Sequence, residues 1–319
     1  MKKYLIIRIV FLVFIFILTL ALMFFALRWS QLKRMDVSHY DKAILIFTQM
    51  RQYFKGILYS WDWGTQRHMI NQGEDVWVLL LSKAPLSLRF TFAAVLFYTV
   101  FGILFGILAA ATRGSFFDKL IQTFILVFSS IPAFIAVMLM ILFFGYYLEW
   151  VWPHNPSIHI HGYLLWFKGM IIPTLAIAGL PLARFIRLIR AEMIETFTSD
   201  YVLLLRTKGL KRHQIIFKHL IRDCLVPLFP EMLPMFIYTV ISAFIVEMVY
   251  NVFGIAHWLF WSLFSPQPGG GYMVSIDLEP VLMIGAFYTA MTLVMALLFD
   301  VLQVVVDPRI RFDTKKTQT

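Results

Sequence analysis

Apolar stretches long enough to cross a bilayer alternate with polar segments along the 319 residues. At 1.5 Å per residue, about 20 apolar residues span the hydrocarbon core. Residues 9–27, 90–111, 120–148, 163–183, 232–250 and 280–306 come close to or exceed that length. The pattern predicts an all-α, polytopic membrane protein with six transmembrane helices. Met1, Lys2, Lys3 and Arg8 precede the first stretch and no small-residue cleavage site follows it, so it reads as an uncleaved span with its N-terminus inside. Residues 28–89 form a long polar-aromatic segment expected outside the membrane on the extracytoplasmic side. A further apolar stretch, 253–264, is too short to span and is expected to be interfacial or re-entrant, followed by a Pro/Gly-rich external loop at 265–271.

Two spans carry local irregularities. Gly102 and Gly106 lie at i, i+4 in the second, which fits either a close helix–helix crossing or a pair of tolerated membrane glycines. Ser129-Ser130-Ile131-Pro132 interrupts the third, where proline removes a backbone hydrogen bond and predicts a kink relieved by neighbouring hydroxyls.

The polar segment 184–230 is where charge changes the picture. Nine basic and four acidic residues give it a net +5, half of the formal +10 of the chain. Each such charge costs about 2.5–3.5 kcal/mol at a membrane helix centre, so the segment lies outside the bilayer, and its sign places it on the cytoplasmic side. Arg184, Arg187 and Arg190, spaced by three, fall on one side of a helix leaving the fourth span. Headgroup anchoring and the neck of a functional loop are both compatible with them. Beyond them a helix–turn–helix is predicted: Ser199 or Asp200 caps a helix over 201–208, Gly209 stops it in a left-handed conformation, Leu210 makes the apolar contact after the stop, and a second helix covers 211–222. Such a hairpin suits a cytoplasmic protein partner; a basic loop held by anionic lipid is the plainer alternative.

Here the residues resemble a known family. Asp200-Tyr201-Val202 with Arg206-Thr207-Lys208-Gly209-Leu210 is similar to the D-Y-V-R-T-A-R-A-K-G-L signature of ABC-transporter permeases in the oligopeptide/dipeptide/nickel importer group, and His219, Arg222 and Pro227 match the R-H-A-L-R-N-A-L-L-P pattern after it. Arg113-Gly114-Ser115-Phe116-Phe117-Asp118 resembles the family's R-G-S-W-L-D turn, and Asp307-Pro308-Arg309-Ile310-Arg311 its D-P-R-I-R ending. Leu203, Leu204 and Leu205 stand where the wider family has E-A-A, and the Pro-Gly-Asp-Pro motif that usually follows the first span is absent.

The resemblance implies the type I ABC importer transmembrane-domain fold. Its organisation would be an N-terminal helix and external segment over 1–84, a core permease domain over 85–311 with its coupling loop at 184–230, and a cytoplasmic tail over 312–319. It implies that Asp200, Tyr201, Arg206, Lys208, Gly209, Leu210, His219 and Arg222 couple the chain to an ATPase. It further implies a second homologous permease, two ABC ATPase subunits that carry ATP and magnesium, and an extracytoplasmic substrate-binding protein. Short peptides are the implied cargo, with nickel chelates or opines as alternatives. The expected location is the bacterial cytoplasmic membrane, with both termini inside and lipid as the surrounding partner.

Composition agrees with that class. With 60% apolar and 14% charged residues the chain does not read as a soluble globule, and its 32 Phe and 9 Trp fit lipid-facing surfaces and interfacial belts. Its basic excess flanks spans, which argues against nucleic acid as a partner. Cys224, the one cysteine, allows no internal disulfide and fits no zinc pattern. His154, His159 and His161 lie in a loop beside Pro153 and Pro156 without helical ligand spacing, so they are expected to be solvated and no metal site is assigned. No phosphate-cradling G-x-x-x-x-G-K-[ST] loop and no Ser/His/Asp cluster is present, so no catalytic residue and no cofactor are assigned to the chain. Glu247, late in the fifth span, is the candidate pathway residue, since an intramembrane acid is a functional-site candidate by default. A structural hydrogen bond between spans is the other reading. A secondary transporter or channel, the rival class, predicts an inverted repeat and midplane ionisable residues, and neither is seen.

Overall fold

The computed structural model describes residues 2–33, 38–67, 72–148, 158–267 and 270–306. Helix α1 (Lys2–Leu32) is followed by α2 (His39–Ser60), α3 (Val76–Ala111), α4 (Phe116–Ser130) and α5 (Ala133–Met140). A π-helical stretch, Ile141–Tyr147, prolongs α5, and the long α6 (Ile158–Phe197) comes next. Then follow α7 (Asp200–Thr207) and a second helical run built of α8 (Arg212–Gln214), a π-helical stretch (Ile215–Leu220) and α9 (Ile221–Leu225). The chain continues through α10 (Leu228–Val249), α11 (Ile255–Leu263), strands β1 (Phe264–Pro266) and β2 (Tyr272–Val274), and α12 (Leu278–Val306).

Among the described residues five helices are long and apolar enough to cross a membrane: Ile6–Leu32, Val76–Ala111, Gly169–Phe197, Leu228–Val249 and Leu278–Val306. The expected third span qualifies only as a pair, Phe116–Ser130 with Ala133–Tyr147, bent by 106°. A kink was too mild an expectation. Ile131 is extended (φ −101°, ψ 118°) because a following proline pushes its neighbour out of the helical region. The hydroxyls of Ser129 and Ser130 donate to the carbonyls of Ile125 and Leu126 at 2.6 and 2.8 Å, in the turn before the break.

The described residues of Met1–Ser87 and Phe253–Leu297 form one compact unit, and those of Leu88–Val252 and Leu298–Thr319 another. This grouping follows packing and is not the sequence-order division at 84/85; residues 312–319 and the Asp307–Arg311 match lie outside the described residues.

In the first unit, residues 28–89 carry elements that hydropathy did not reveal. Ser38 caps α2 by accepting from the Tyr40 N–H at 3.4 Å, and Trp61 ends it in a left-handed conformation (φ 54°). Asp75 caps α3 through the Trp77 N–H at 2.7 Å, so this helix begins at Val76, well before the expected span at 90, and carries Pro85 in its interior. Phe24, Leu32, Ile46, Leu278 and Leu282 form the apolar cluster under α1 and α2. The stretch expected to be interfacial or re-entrant is α11, with Ile255, Ala256, Trp258 and Ser262 buried. Its Ile255 N–H donates to Ser87 Oγ at 2.8 Å, and Trp258 Nε1 to Gln66 Oε1 at 2.9 Å. Next comes an antiparallel pair with Phe264 opposite Val274, a small departure from an all-α chain.

In the second unit α6 is the most buried of the spans. Its face of Phe185, Ile186, Ile189 and Met193 is fully buried, and Phe185 meets Tyr98 of α3 edge-on at 5.0 Å. The two glycines of α3 make a close crossing: a Cβ on Gly102 would lie 2.6 Å from Phe185 Cβ, and one on Gly106 2.6 Å from Ile189 Cβ.

Candidate functional site

The hairpin after α6 is built by one buried stripe and one positive φ. Val202 and Leu205 of α7, three apart, turn inward, while Leu203 and Leu204 stay exposed. Ile215, Ile216, Leu220 and Cys224 are buried among the described side chains of the second run. Gly209 adopts φ +78°, and the Leu210 N–H reaches back to the Leu205 carbonyl at 3.3 Å, closing the helix end as expected. The start differs. Ser199 has the extended backbone of a cap (φ −74°, ψ 151°), but its hydroxyl donates backward to the Thr196 carbonyl at 2.7 Å, so it does not cap α7. Asp200 sits in the first turn, where a carboxylate favours the helix dipole. Lys211 opens the second run, its N–H donating to Gln214 Oε1 at 3.0 Å.

Tyr201 and His219, picked out separately in the sequence, meet across the hairpin with Tyr201 Oη and His219 Nδ1 3.3 Å apart. Arg206 and Lys208 are exposed at the end of α7, so the hairpin tip presents cations around an apolar patch. The side chain of Arg222 is outside the described residues.

At the root of the hairpin is a contact the sequence reading missed. Asp118 is buried and accepts from Arg190 Nε at 2.8 Å and Nη2 at 2.9 Å, from Gln122 Nε2 at 3.0 Å and from the Gly114 N–H at 2.9 Å. This bidentate pair joins α4 to α6 across 72 residues of sequence. Arg184 and Arg187, from the same side of α6, line a groove of about 280 Å³ with Phe185, Glu231 and Met235. The regular spacing of the three arginines was the available signal; the pairing of Arg190 with Asp118 was not.

Glu247 lies near the far end of α10 from the hairpin, roughly 28 Å along the axis from Leu228 at 1.5 Å per residue. It is buried within the unit, and its carbonyl accepts the Val252 N–H at 3.0 Å as α10 ends. The pathway candidate is therefore at the end of α10 away from the segment that holds the coupling candidates. His154 lies outside the described residues, as do the side chains of His159 and His161.

Residues 102–312 match the family model described as "Binding-protein-dependent transport system inner membrane component". The chain is 29% identical over 266 residues to the dipeptide transport system permease protein DppB of Lactococcus lactis subsp. cremoris, covering 82% of this chain and 80% of the relative. It is 27% identical to the protein of the same name from Bacillus subtilis, with coverages of 89% and 85%. The oligopeptide transport system permease protein OppB of Salmonella typhimurium is 28% identical, with coverages of 73% and 71%. Among solved structures, a chain of the inward-facing MetNI methionine ABC transporter superposes with a TM-score of 0.50 at 16% identity, covering 72% of this chain and 97% of that one. That likeness concerns the fold.

Proposed function

We propose that this chain, which belongs to the family of binding-protein-dependent transport system inner membrane components, carries short peptides across the membrane as one permease subunit of an ATP-driven importer. Members of this family are multi-pass permease subunits of ABC importers and are not themselves catalytic. The observation that carries the proposal is the hairpin: a rigid turn at Gly209 presents Leu203 and Leu204, exposed and ringed by Arg206 and Lys208, on a segment too charged to enter lipid. Burying two leucines in a partner groove is worth up to about 1.5–3 kcal/mol each, and the cations give the dock its orientation. Arg190, bonded to Asp118, ties the hairpin root to α4, so motion at the dock is passed into the bundle rather than lost in a loose loop. A second homologous permease, two ATPases and an extracytoplasmic binding protein complete the machine in this reading, with hairpin and both termini cytoplasmic.

Purification and topology test it together. The tagged chain is expected to bring an ATPase with it from detergent-solubilised membranes. With Cys224 replaced by serine, Trp61→Cys, at an exposed position, labels in intact cells with an impermeant thiol reagent, while Lys208→Cys labels only after lysis. Retrieval without an ATPase, or the reverse labelling pattern, sinks the reading.

Glu247 serves the outer part of the pathway in this proposal. Glu247→Gln is then expected to lower peptide uptake ten- to a hundredfold, on the order of one charge-assisted hydrogen bond, about 1.5–3 kcal/mol. Membrane level and basal ATPase activity stay unchanged. Wild-type uptake by the amide variant removes Glu247 from the pathway and leaves it a structural hydrogen-bonding group.

A further inference from the structure

The first unit holds a polar cavity of about 340 Å³. Arg28 of α1, Gln49 and Tyr53 of α2, Asp62 in the turn after it and Glu279 at the start of α12 line it. Packing fixes these groups. The rings of Phe24 and Tyr53 meet at a tilt of 35° with centroids 5.4 Å apart, over the same apolar cluster that joins α1 to α2. Gly64, at φ +88°, lets the backbone lie against Glu279, since a Cβ there would come within 2.6 Å of Glu279 Cγ. Asp62 holds that turn by accepting the Gly64 N–H at 2.8 Å.

Some of the hydrogen-bonding capacity is used within the protein. The Arg67 guanidinium bonds Glu279 Oε1, the Arg67 N–H donates to Asp277 Oδ2 at 2.7 Å, and Arg28 Nη1 donates to Gln31 Oε1 at 3.0 Å. Of the eight buried side-chain atoms among the described residues that have no hydrogen-bond partner, four are Glu279 Oε2, Gln49 Oε1, Tyr53 Oη and Arg28 Nε. All four belong to residues that line this one cavity, and Glu279 is more than nine-tenths buried. Buried polar atoms of this kind are met by water or by a ligand. Here the unmet set has a definite composition of three acceptors and one donor. Burial first, then the charges of Glu279 and Asp62, holds the Tyr53 phenol above its ordinary range, so it remains a hydroxyl. Among the lining residues one arginine, Arg28, stands with two acids, Asp62 and Glu279, which leaves one acid over.

We propose that this cavity binds a primary ammonium beside a carbonyl, the head of a peptide N-terminus. The three ammonium hydrogens meet Glu279 Oε2, Gln49 Oε1 and Tyr53 Oη, and Arg28 Nε donates to the neighbouring carbonyl oxygen. The ligand's positive charge balances the carboxylate in excess. An inorganic cation would satisfy the acceptors and leave Arg28 Nε unmet; an anion would do the reverse. The assignment to a peptide rests on the import proposed above, whereas the ammonium chemistry rests on the cavity alone. On the topology of that proposal the cavity faces the extracytoplasmic side, where a peptide arrives.

The test uses the full-length chain in lipid nanodiscs and three probes: trialanine, N-acetyl-trialanine and alanine. Binding is read by titration calorimetry and by the shift in melting temperature. Trialanine is expected to bind at least tenfold more tightly than its N-acetyl form. Gln49→Leu with Tyr53→Phe removes two acceptors that bond nothing in the protein and keeps the ring against Phe24, so this variant is expected to melt no lower than the wild type. It should lose trialanine affinity at least tenfold. Equal binding of trialanine and N-acetyl-trialanine, binding of neither, or an unaffected double variant overturns the site. Alanine binding as tightly as trialanine supports the ammonium site and overturns its assignment to a peptide. Uptake of trialanine by cells is measured separately. Cells that import it through a chain that does not bind it in nanodiscs leave the transport reading standing and the cavity proposal refuted; binding without import does the opposite.

Discussion

With valine at position 209, the permease reaches the membrane at a near-normal level and loses most of its transport. Gly209 sits at φ +78°, and a Cβ built there touches nothing within 4 Å. The cost of a side chain is therefore backbone conformation alone, about 1–3 kcal/mol for a residue held in a sparsely populated region and largest for a β-branched one. The helix end closed by the Leu210 N–H on the Leu205 carbonyl has to shift to relieve it, and with it the direction of α7 relative to the second run. The spans are packed by other residues, so insertion is spared. On the proposed docking, what suffers is the fit of Leu203 and Leu204 to the ATPase. A penalty of that size lowers the docked population by roughly ten- to a hundredfold. Uptake in cells and ATPase recovered with the tagged chain decide the matter, and Gly209→Asn, which tolerates positive φ better, should recover part of both. Normal uptake with valine means that the hairpin is not the coupling element.

Asp118→Ala has the larger effect, and on a different quantity. The carboxylate is 2% exposed and takes four hydrogen bonds, two of them from Arg190, whose side chain is 23% exposed. Removing one member of a buried pair leaves the other charge uncompensated and typically costs about 3–5 kcal/mol. The partial exposure of Arg190 puts the expected loss near the lower end, about 3 kcal/mol. Marginally stable proteins lose abundance at such values, so the variant should accumulate several-fold less in the membrane and melt at a lower temperature. Asp118→Ala combined with Arg190→Ala should regain part of the loss, because no lone charge remains. An Asp118→Ala chain that accumulates and melts like the wild type refutes the structural role given to the pair.

Much of the architecture was legible in the sequence, and for a physical reason: hydropathy, helix stops and charge sidedness are properties of neighbouring residues. Apolar runs of bilayer length marked the spans, and Gly209 marked the turn of the hairpin. The resemblance in residues 200–227 pointed to the permease family, with which residues 102–312 agree. Pairings between distant residues depend on packing and were not legible. Nothing local to Asp118 names Arg190, 72 residues away, as its partner. Helix α2 buries Lys42 and Ile46 but is otherwise mixed in polarity, so its pattern was weak until α1 covered it. Pro132 announced a bend, while its 106° extent depended on Ile131 taking an extended conformation. Whether Gly102 and Gly106 mark a crossing was decided by Phe185 and Ile189 arriving opposite them. Four unmet polar atoms of the first unit come from residues 28, 49, 53 and 279, which line one cavity, and only folding gathers those residues there.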